Sequence, residues 1–136
     1  MLPIGVRLRF SHVLRTPEEQ HALFIQRPRV TKADSWQSIH NYGLAFDIVL
    51  LYDKDNNETF ETASWDVVTD FDGDGTSDWM EVTNYFKSIG YTWGGDWKFK
   101  DKPHFQKDFG FHWSALEQRV KNGITIIDNG ITYPKI

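Results

Sequence analysis

A single carboxylate inside an apolar run is the feature that most restricts how this chain can fold. Residues 44–51 are apolar except for Asp47, and such a run is typical of a buried strand. A carboxylate in the middle of a buried strand is costly unless a cation or hydrogen-bond donors meet it. The sequence therefore predicts a strand whose one charged side chain faces a partner, and a metal ion is one such partner.

Length, charge and cysteine content limit the possible functions. The chain has 136 residues, 40% of them hydrophobic and 25% charged, which predicts one globular domain over residues 1–136. A formal net charge of -4 argues against nucleic acid as a partner, because phosphate binding needs clustered Lys and Arg. Since the sequence has no cysteine, a metal site would have to use His with Asp or Glu. We find neither a signal peptide nor an apolar stretch of membrane-spanning length, so we expect no membrane insertion.

Short-range patterns predict the remaining elements. Thr16, Pro17 and Glu19 form a helix start, with a cap, a proline at the first helical position and a capping-box glutamate, and this helix should end near Gln26. Gly90 should end a later helix. Periodicity and breaker residues predict a strand at 6–13, a loop at 28–37, a helix at 79–89, a short strand at 91–93, extended chain at 103–106, a helix at 114–120, and short strands or irregular structure at 124–136.

Two pairs of His and Asp residues carry the candidate chemistry. His40 and Asp47 lie seven residues apart, and Gly43 between them allows a bend without a side-chain penalty. A histidine beside a strand is more often a core or surface residue than a ligand, so this pair alone is a weak signal. The second pair is Asp101 and His104, and the residue directly before His104 is a proline, which favours extended backbone.

Together the two pairs match the residue types of a catalytic zinc site. Two imidazoles and a carboxylate can hold zinc while one coordination position stays open for water. A further carboxylate near that water can act as general base and return the proton to a leaving amine. Peptide hydrolysis is the reaction class that this inventory favours.

Residues 70–81 have the spacing of an EF-hand calcium loop, with glycine at position 6. Ser77 replaces the aliphatic residue usual at position 8, and residues 61–69 do not resemble a strong incoming helix. We therefore predict one structural Ca²⁺ loop rather than a paired sensor; an acidic turn with no ion is the alternative. The candidate ligands are Asp70, Asp72, Asp74, Thr76, Asp78 and Glu81.

The two pairs also carry a family resemblance. The pattern Ser38-x-His40-x-x-Gly43-x-Ala45-x-Asp47, with Asp101-x-x-His104, resembles the signature of the M15 zinc peptidases. The runs at 37–48, 93–98 and 101–105 are most similar to the L-alanyl-D-glutamate endopeptidase branch, which includes phage endolysins and wall-remodelling enzymes. The resemblance covers residues 6–120 and implies an α+β fold, with a small antiparallel sheet and flanking helices, of the hedgehog and DD-peptidase type.

The resemblance also implies roles for individual residues. His40, Asp47 and His104 would be the zinc ligands, and Asp101 the catalytic base. Arg15 would bind a carboxylate of the stem peptide or the developing oxyanion through its planar fork, although a surface salt bridge is the alternative. The weaker substrate-binding candidates are Gln37 and Ser38, for which a turn role is equally open, and Trp97, which could instead be a core aromatic.

Two departures from the family pattern are visible. Relatives usually have a helix before the first strand, whereas this sequence begins almost on that strand, so the N-terminal family helix is expected to be missing. His12 and Val13 stand where relatives often carry small or amide residues before the arginine. His12 could touch substrate, but we interpret it as an ordinary, partly buried histidine, and His21 and His112 as structural or surface residues.

The leading functional hypothesis is zinc-dependent hydrolysis of the L-Ala-D-Glu bond in peptidoglycan. The alternatives are a D-Ala-D-Ala carboxypeptidase or dipeptidase and an inert metal-binding module of the hedgehog type. We expect a monomer that acts at the bacterial cell wall without a nucleic-acid partner. It would be released as a phage lysin, exported by another route, or be a fragment of a longer secreted chain.

Overall fold

The computed structural model describes residues 2–136. Within that range the chain forms three α-helices and seven strands. They are β1 Val6–His12, α1 Pro17–Ile25, β2 Ala45–Tyr52, β3 Thr62–Ser64, α2 Asp78–Ser88, β4 Thr92–Trp93, β5 His104–Gln106, α3 Trp113–Lys121, β6 Thr125–Asp128 and β7 Ile131–Pro134, with 3₁₀ helices at Ile39–Tyr42 and Gly94–Asp96. The predicted α+β class is confirmed. No helix in residues 2–136 has both the length and the apolar character needed to cross a membrane.

The strands form a five-stranded sheet and a separate hairpin. The sheet has the order β1-β2-β5-β4, with β3 paired to β2, and β6 pairs only with β7. β1 and β2 run antiparallel, and their register shifts between Phe10 and His12. β2 therefore lies inside the sheet, between β1 and β5, which explains why its sequence is almost continuously apolar.

The chain divides into two compact units. The first contains residues 2–12 and 47–106, and the second contains residues 13–46 and 107–136. Large side chains that are fully buried fill the first unit, namely Ile48, Leu50, Trp79 and Phe105. In the second unit the fully buried side chains are Tyr42, Leu116 and, unusually for a polar residue, Gln20.

The helices follow their local signals closely. Thr16 caps α1 by accepting a hydrogen bond from the Glu19 amide at 3.1 Å. The Glu19 carboxylate accepts from the Thr16 hydroxyl rather than from the Thr16 amide that a full capping box would use. α2 begins at Asp78, one residue before its predicted start, because Ser77 caps it and accepts a hydrogen bond from the Met80 amide. The cap explains why position 8 of the acidic loop is a serine.

Candidate metal centre and active site

Asp47 and His104 meet on neighbouring strands of the first unit. The Ile48 amide of β2 donates to the Pro103 carbonyl at 3.0 Å, and this pairing brings His104 Nδ1 to 3.3 Å from Asp47 Oδ1. The His104 side chain is only 8% exposed and that of Asp47 18%. The carboxylate that the sequence places in a buried strand therefore does face a partner, as predicted.

Several contacts hold the His104 ring in one orientation. Its Nε2 lies 2.8 Å from the side-chain oxygen of Gln106, and the Trp97 ring packs against it with centroids 5.2 Å apart. Burial opposes the charged imidazolium, but hydrogen bonds with Asp47 and Gln106 outweigh it and raise the pKa of His104 above its ordinary value. Nδ1 faces Asp47, and because Nε2 donates to the Gln106 oxygen, Nδ1 is the nitrogen that could bind a metal.

The two groups fit a zinc ion in both chemistry and spacing. Two ligands on tetrahedral zinc, each about 2.1 Å from the metal, lie roughly 3.4 Å apart. The observed separation of Nδ1 from Oδ1 is 3.3 Å. Asp47 and His104 belong to a group of His and Asp side chains that could hold a metal ion. Imidazole and carboxylate are zinc ligands, and the Gln106 contact is the kind of outer hydrogen bond that usually accompanies a ligating histidine.

Asp101 lies at the edge of the same group. Its carboxylate is 55% exposed, and Oδ2 is 4.0 Å from His104 Nδ1. The backbone of Asp101 is held at both ends, because its amide donates to the Gly94 carbonyl at 2.9 Å and its carbonyl accepts from the His104 amide at 3.1 Å. A rigid backbone beneath an exposed carboxylate suits a group that must reach a reacting water.

Gly94 is a residue whose importance the sequence did not reveal. A Cβ atom at Gly94 would lie 2.2 Å from the Asp101 carbonyl oxygen, and one at Gly95 would lie 2.2 Å from the Trp93 ring. The sequence predicts a turn at these two glycines. In the structure they allow the backbone of the 3₁₀ helix Gly94–Asp96 to approach Asp101 and Trp93.

His40 is positioned within the second unit. Ser38 caps the 3₁₀ helix Ile39–Tyr42 and accepts from the His40 amide, while the Asn41 side chain accepts from the Ser38 amide. Gly43 ends this turn in the left-handed conformation. His40 is 3% exposed, and its Nδ1 lies 3.0 Å from the Val13 carbonyl oxygen. Since that oxygen can only accept, Nδ1 carries the proton and Nε2 is the nitrogen with a lone pair for a metal.

Arg15 lies beside His40 in the same unit. The Arg15 amide donates to the His40 carbonyl at 3.1 Å, and the Arg15 carbonyl accepts from the Asn41 side chain at 2.8 Å. The guanidinium donates to Gln20 Oε1 at 2.9 Å. Gln20 is fully buried and donates in turn to the Ala33 carbonyl at 2.6 Å. Gln20 thus holds the Arg15 side chain, and no sequence pattern marked it for this role.

We expect Gln20→Leu to lower both the stability of the protein and its catalytic activity. The substitution removes an acceptor of Arg15 Nη1 and leaves the half-buried Ala33 carbonyl without this donor, at a cost of about 1–3 kcal/mol. If Arg15 binds substrate, kcat/KM should also fall by roughly tenfold as the guanidinium loses its fixed direction. Chemical denaturation and steady-state kinetics measure the two effects. The exposed residue Gln118 gives a control, since Gln118→Leu should change neither.

The other predicted substrate contacts have local structural roles. Gln37 is exposed, and its side-chain oxygen accepts from the Asp34 amide at 3.0 Å, which closes a turn. Trp97 packs on His104, as described above, whereas Trp93 is largely buried and donates to the Lys102 carbonyl at 2.6 Å. Trp97 is therefore the tryptophan of this segment that lies at the candidate site.

The acidic loop in the first unit brings its carboxylates together. Asp70, Asp72 and Asp78 form one group with closely spaced oxygens, and Asp72, Asp74 and Glu81 form another. Asp78 is fully buried, and its carboxylate accepts from the Tyr52 hydroxyl at 2.8 Å and from the Phe71 amide. The loop is therefore tied through Tyr52 to the end of β2, the strand that carries Asp47.

The carboxyls of Asp74 and Glu81 in this loop interact with each other. A hydrogen bond with Asp74, helped by burial, raises the pKa of Glu81 to about 7. Like charges this close favour retention of one proton between them. A bound cation would relieve the same repulsion, so the arrangement is compatible with an ion, although exposed acidic groups are common without one.

Comparison with known proteins identifies a family and a similar enzyme. A peptidase M15 family model, described as D-alanyl-D-alanine carboxypeptidase, matches residues 31–107. The peptidoglycan L-alanyl-D-glutamate endopeptidase CwlK of Bacillus subtilis (strain 168) is 40% identical over 108 residues, which cover 75% of this chain and 61% of CwlK. The chain thus spans about 61% of the length of this relative. Because the family match covers more than half of the chain and includes Asp47, Asp101 and His104, the chain belongs to the M15 peptidase family.

Proposed function

We propose that this protein is a zinc-dependent peptidase that hydrolyses stem peptides of bacterial peptidoglycan, at the bond between L-Ala and D-Glu. The observation that carries the proposal is the contact of a buried imidazole with the Asp47 carboxylate at 3.3 Å, with the Asp101 carboxylate 4.0 Å from the same ring nitrogen. Family membership supports the reaction class. The activity named for CwlK supports the choice of bond.

His40, Asp47 and His104 would hold the zinc ion. Support for His104 comes from its fixed ring, which turns Nδ1 toward Asp47. Support for His40 comes from its Nδ1 contact with Val13, which makes Nε2 the metal-binding nitrogen, and from its place seven residues before Asp47 on a chain that bends at Gly43. Zinc, when bound, supplies a Lewis acid that polarises the scissile carbonyl and acidifies water.

Asp101 and Arg15 have separate tasks in this proposal. The exposed Asp101 carboxylate takes a proton from the attacking water and passes it to the leaving amine. Its anchored backbone limits where that carboxylate can move. Arg15, oriented by Gln20, binds a carboxylate of the stem peptide or the oxyanion. Ser38, Gln37 and Trp97 would border the bound peptide.

Digestion of defined muropeptides, with mass analysis of the products, tests the function. We expect cleavage between L-Ala and D-Glu, loss of cleavage with a zinc chelator, and recovery when zinc is returned. The family description favours a second candidate, a D-alanyl-D-alanine carboxypeptidase. Release of free D-Ala with the L-Ala-D-Glu bond intact would identify that activity instead. Zinc binding without any cleavage would indicate an inert metal-binding module.

The same proposal places the protein at the bacterial cell wall, with peptidoglycan as its partner. The support is the activity that CwlK carries in its name. We propose that the chain works as a monomer, which sedimentation of the purified protein would check.

We also propose that the loop at residues 70–81 binds one Ca²⁺ ion with a structural role. The support is the ligand spacing, the two overlapping carboxylate groups, and the pKa of Glu81, which its hydrogen bond with Asp74 raises to about 7. The ligands would be Asp70, Asp72, Asp74, the Thr76 carbonyl, Asp78 and Glu81. Because Asp78 also accepts from Tyr52, the ion would stabilise the start of α2 against the end of β2.

Calcium should raise the thermal unfolding temperature of the wild-type protein. At an ion concentration a hundredfold above Kd the stabilisation is about 2.7 kcal/mol, or roughly 5–10 °C for a domain of this size. Asp70→Ala should remove the shift. Asp55 belongs to a different acidic group, with Asp53 and Glu61, so Asp55→Ala should retain it. Equal shifts in wild type and Asp70→Ala would favour an acidic turn without a specific ion.

A further inference from the structure

His12 reaches the candidate metal centre because of an irregularity in β1. In the pairing of β1 with β2, Phe10 lies opposite Ile48 and His12 lies opposite Asp47. Between these two pairs β1 moves on by two residues and β2 by one, which is a β-bulge. In a regular ladder Ser11 would stand opposite Asp47, and His12 would point to the other face of the sheet. The bulge therefore brings an imidazole, rather than a hydroxyl, onto the face that carries Asp47.

The side-chain contact agrees with the strand register. His12 Nδ1 lies 3.6 Å from Asp47 Oδ2, which is an electrostatic contact slightly longer than a hydrogen bond. The other carboxylate oxygen, Oδ1, faces His104 Nδ1 at 3.3 Å. The Asp47 carboxylate thus lies between two imidazoles, each directed at a different oxygen. With its side chain 56% exposed, His12 is not the partly buried histidine that the sequence suggested.

We propose that His12 is a positioning residue that fixes the rotation of the Asp47 carboxylate, so that Oδ1 is the oxygen presented to the metal. The inference rests on the proposed zinc site. A ligating carboxylate is normally oriented by an outer partner, and loss of such partners weakens metal affinity. Here His12 is the outer partner, and it contacts the other carboxylate oxygen, Oδ2, from the solvent side. His12 acts through Asp47 and does not bind the metal itself.

Zinc affinity, measured by competition with a chromophoric chelator, tests this role. We expect His12→Ala to weaken zinc binding by at least about tenfold. His12→Gln keeps a donor that can reach Asp47, so its affinity should stay within about threefold of wild type. His21 provides a matched control, because its side chain is 53% exposed and its ring contacts a different carboxylate, that of Asp34, at 2.7 Å. His21→Ala should bind zinc as tightly as wild type.

Absorption spectra of the cobalt-substituted proteins separate positioning from direct ligation. If His12 acts through Asp47, wild type, His12→Gln and His12→Ala share the same visible bands at saturating cobalt, because the ligands are unchanged. A band shift in both variants would overturn the positioning role, and so would a zinc affinity in His12→Ala equal to that of wild type. Failure of the wild-type protein to bind zinc would instead overturn the proposed function, and this inference with it.

Discussion

Asp101→Ala should abolish hydrolysis of the stem peptide while zinc content stays near one ion per chain. General acid–base catalysis contributes about 10²–10⁴-fold to rate, and Asp101 is the exposed carboxylate at the edge of the Asp47 and His104 group. Its carboxylate lies 4.0 Å from Nδ1 of His104, whereas the Asp47 carboxylate lies 3.3 Å from the same nitrogen. The expected effect is therefore on kcat rather than on the metal. Muropeptide kinetics and elemental analysis of the purified variant measure the two quantities.

A matched carboxylate lies on the same segment. Asp96 has a side chain 54% exposed, close to the 55% of Asp101, but it pairs with Lys87 at 2.6 Å. Asp96→Ala should leave kcat near the wild-type value. Loss of zinc in Asp101→Ala would show instead that Asp101 is a ligand or a structural residue. An unchanged rate in Asp101→Ala would show that Asp101 does not take part in the reaction. Absence of hydrolysis in the wild-type protein as well would favour an inert metal-binding module.

Gly94→Ala should damage both the fold and the activity. The new Cβ would lie 2.2 Å from the Asp101 carbonyl oxygen, and backbone cannot rotate away as a flexible side chain can. Overpacking of this kind costs about 1–3 kcal/mol. Because the displaced residue is the proposed base, we also expect kcat to fall by roughly 10–100-fold, the scale of a misplaced catalytic group.

Substitution of a second glycine, Gly123, is a control that distinguishes loss of stability from displacement of Asp101. Gly123 follows α3 with φ +73, and a Cβ there would meet no atom within 4 Å. Gly123→Ala should lose roughly 1–2 kcal/mol through backbone strain alone and keep its kcat. Denaturant unfolding and kinetics on both variants check the prediction. Equal kcat values for Gly94→Ala and wild type would show that the Asp101 backbone tolerates the shift.

Much of the fold could be predicted because its signals are local. The Thr16 cap, the Gly90 helix end and the apolar run around Asp47 depend on neighbouring residues, and the structure has α1, α2 and β2 close to the predicted positions. β3 was missed because three residues carry too little periodicity to distinguish them from a polar turn. The 3₁₀ helix at Ile39–Tyr42 was missed because its cap, from Ser38 and Asn41, spans a single turn.

Candidate ligands could also be read from sequence, but their supporting residues could not. Gln20, Gly94 and His12 act through contacts with residues 5, 7 and 35 positions away, namely Arg15, Asp101 and Asp47. None of the three has a residue type that marks such a role. A buried glutamine, a glycine in close approach and a histidine at a bulge are recognisable only when the packed partner is known.

The sequence by itself determined which kinds of ligand a metal could use, the approximate positions of α1, α2 and β2, and the family resemblance that the comparisons confirmed. The tertiary structure decided how these groups face each other. It directs Nδ1 of His104 toward Asp47, lets Gly94 anchor Asp101, and brings His12 onto the side of the sheet that carries Asp47. The physical reason is that residue type and local backbone preference are encoded over a few neighbouring positions, whereas strand register and close approach depend on packing between distant parts of the chain.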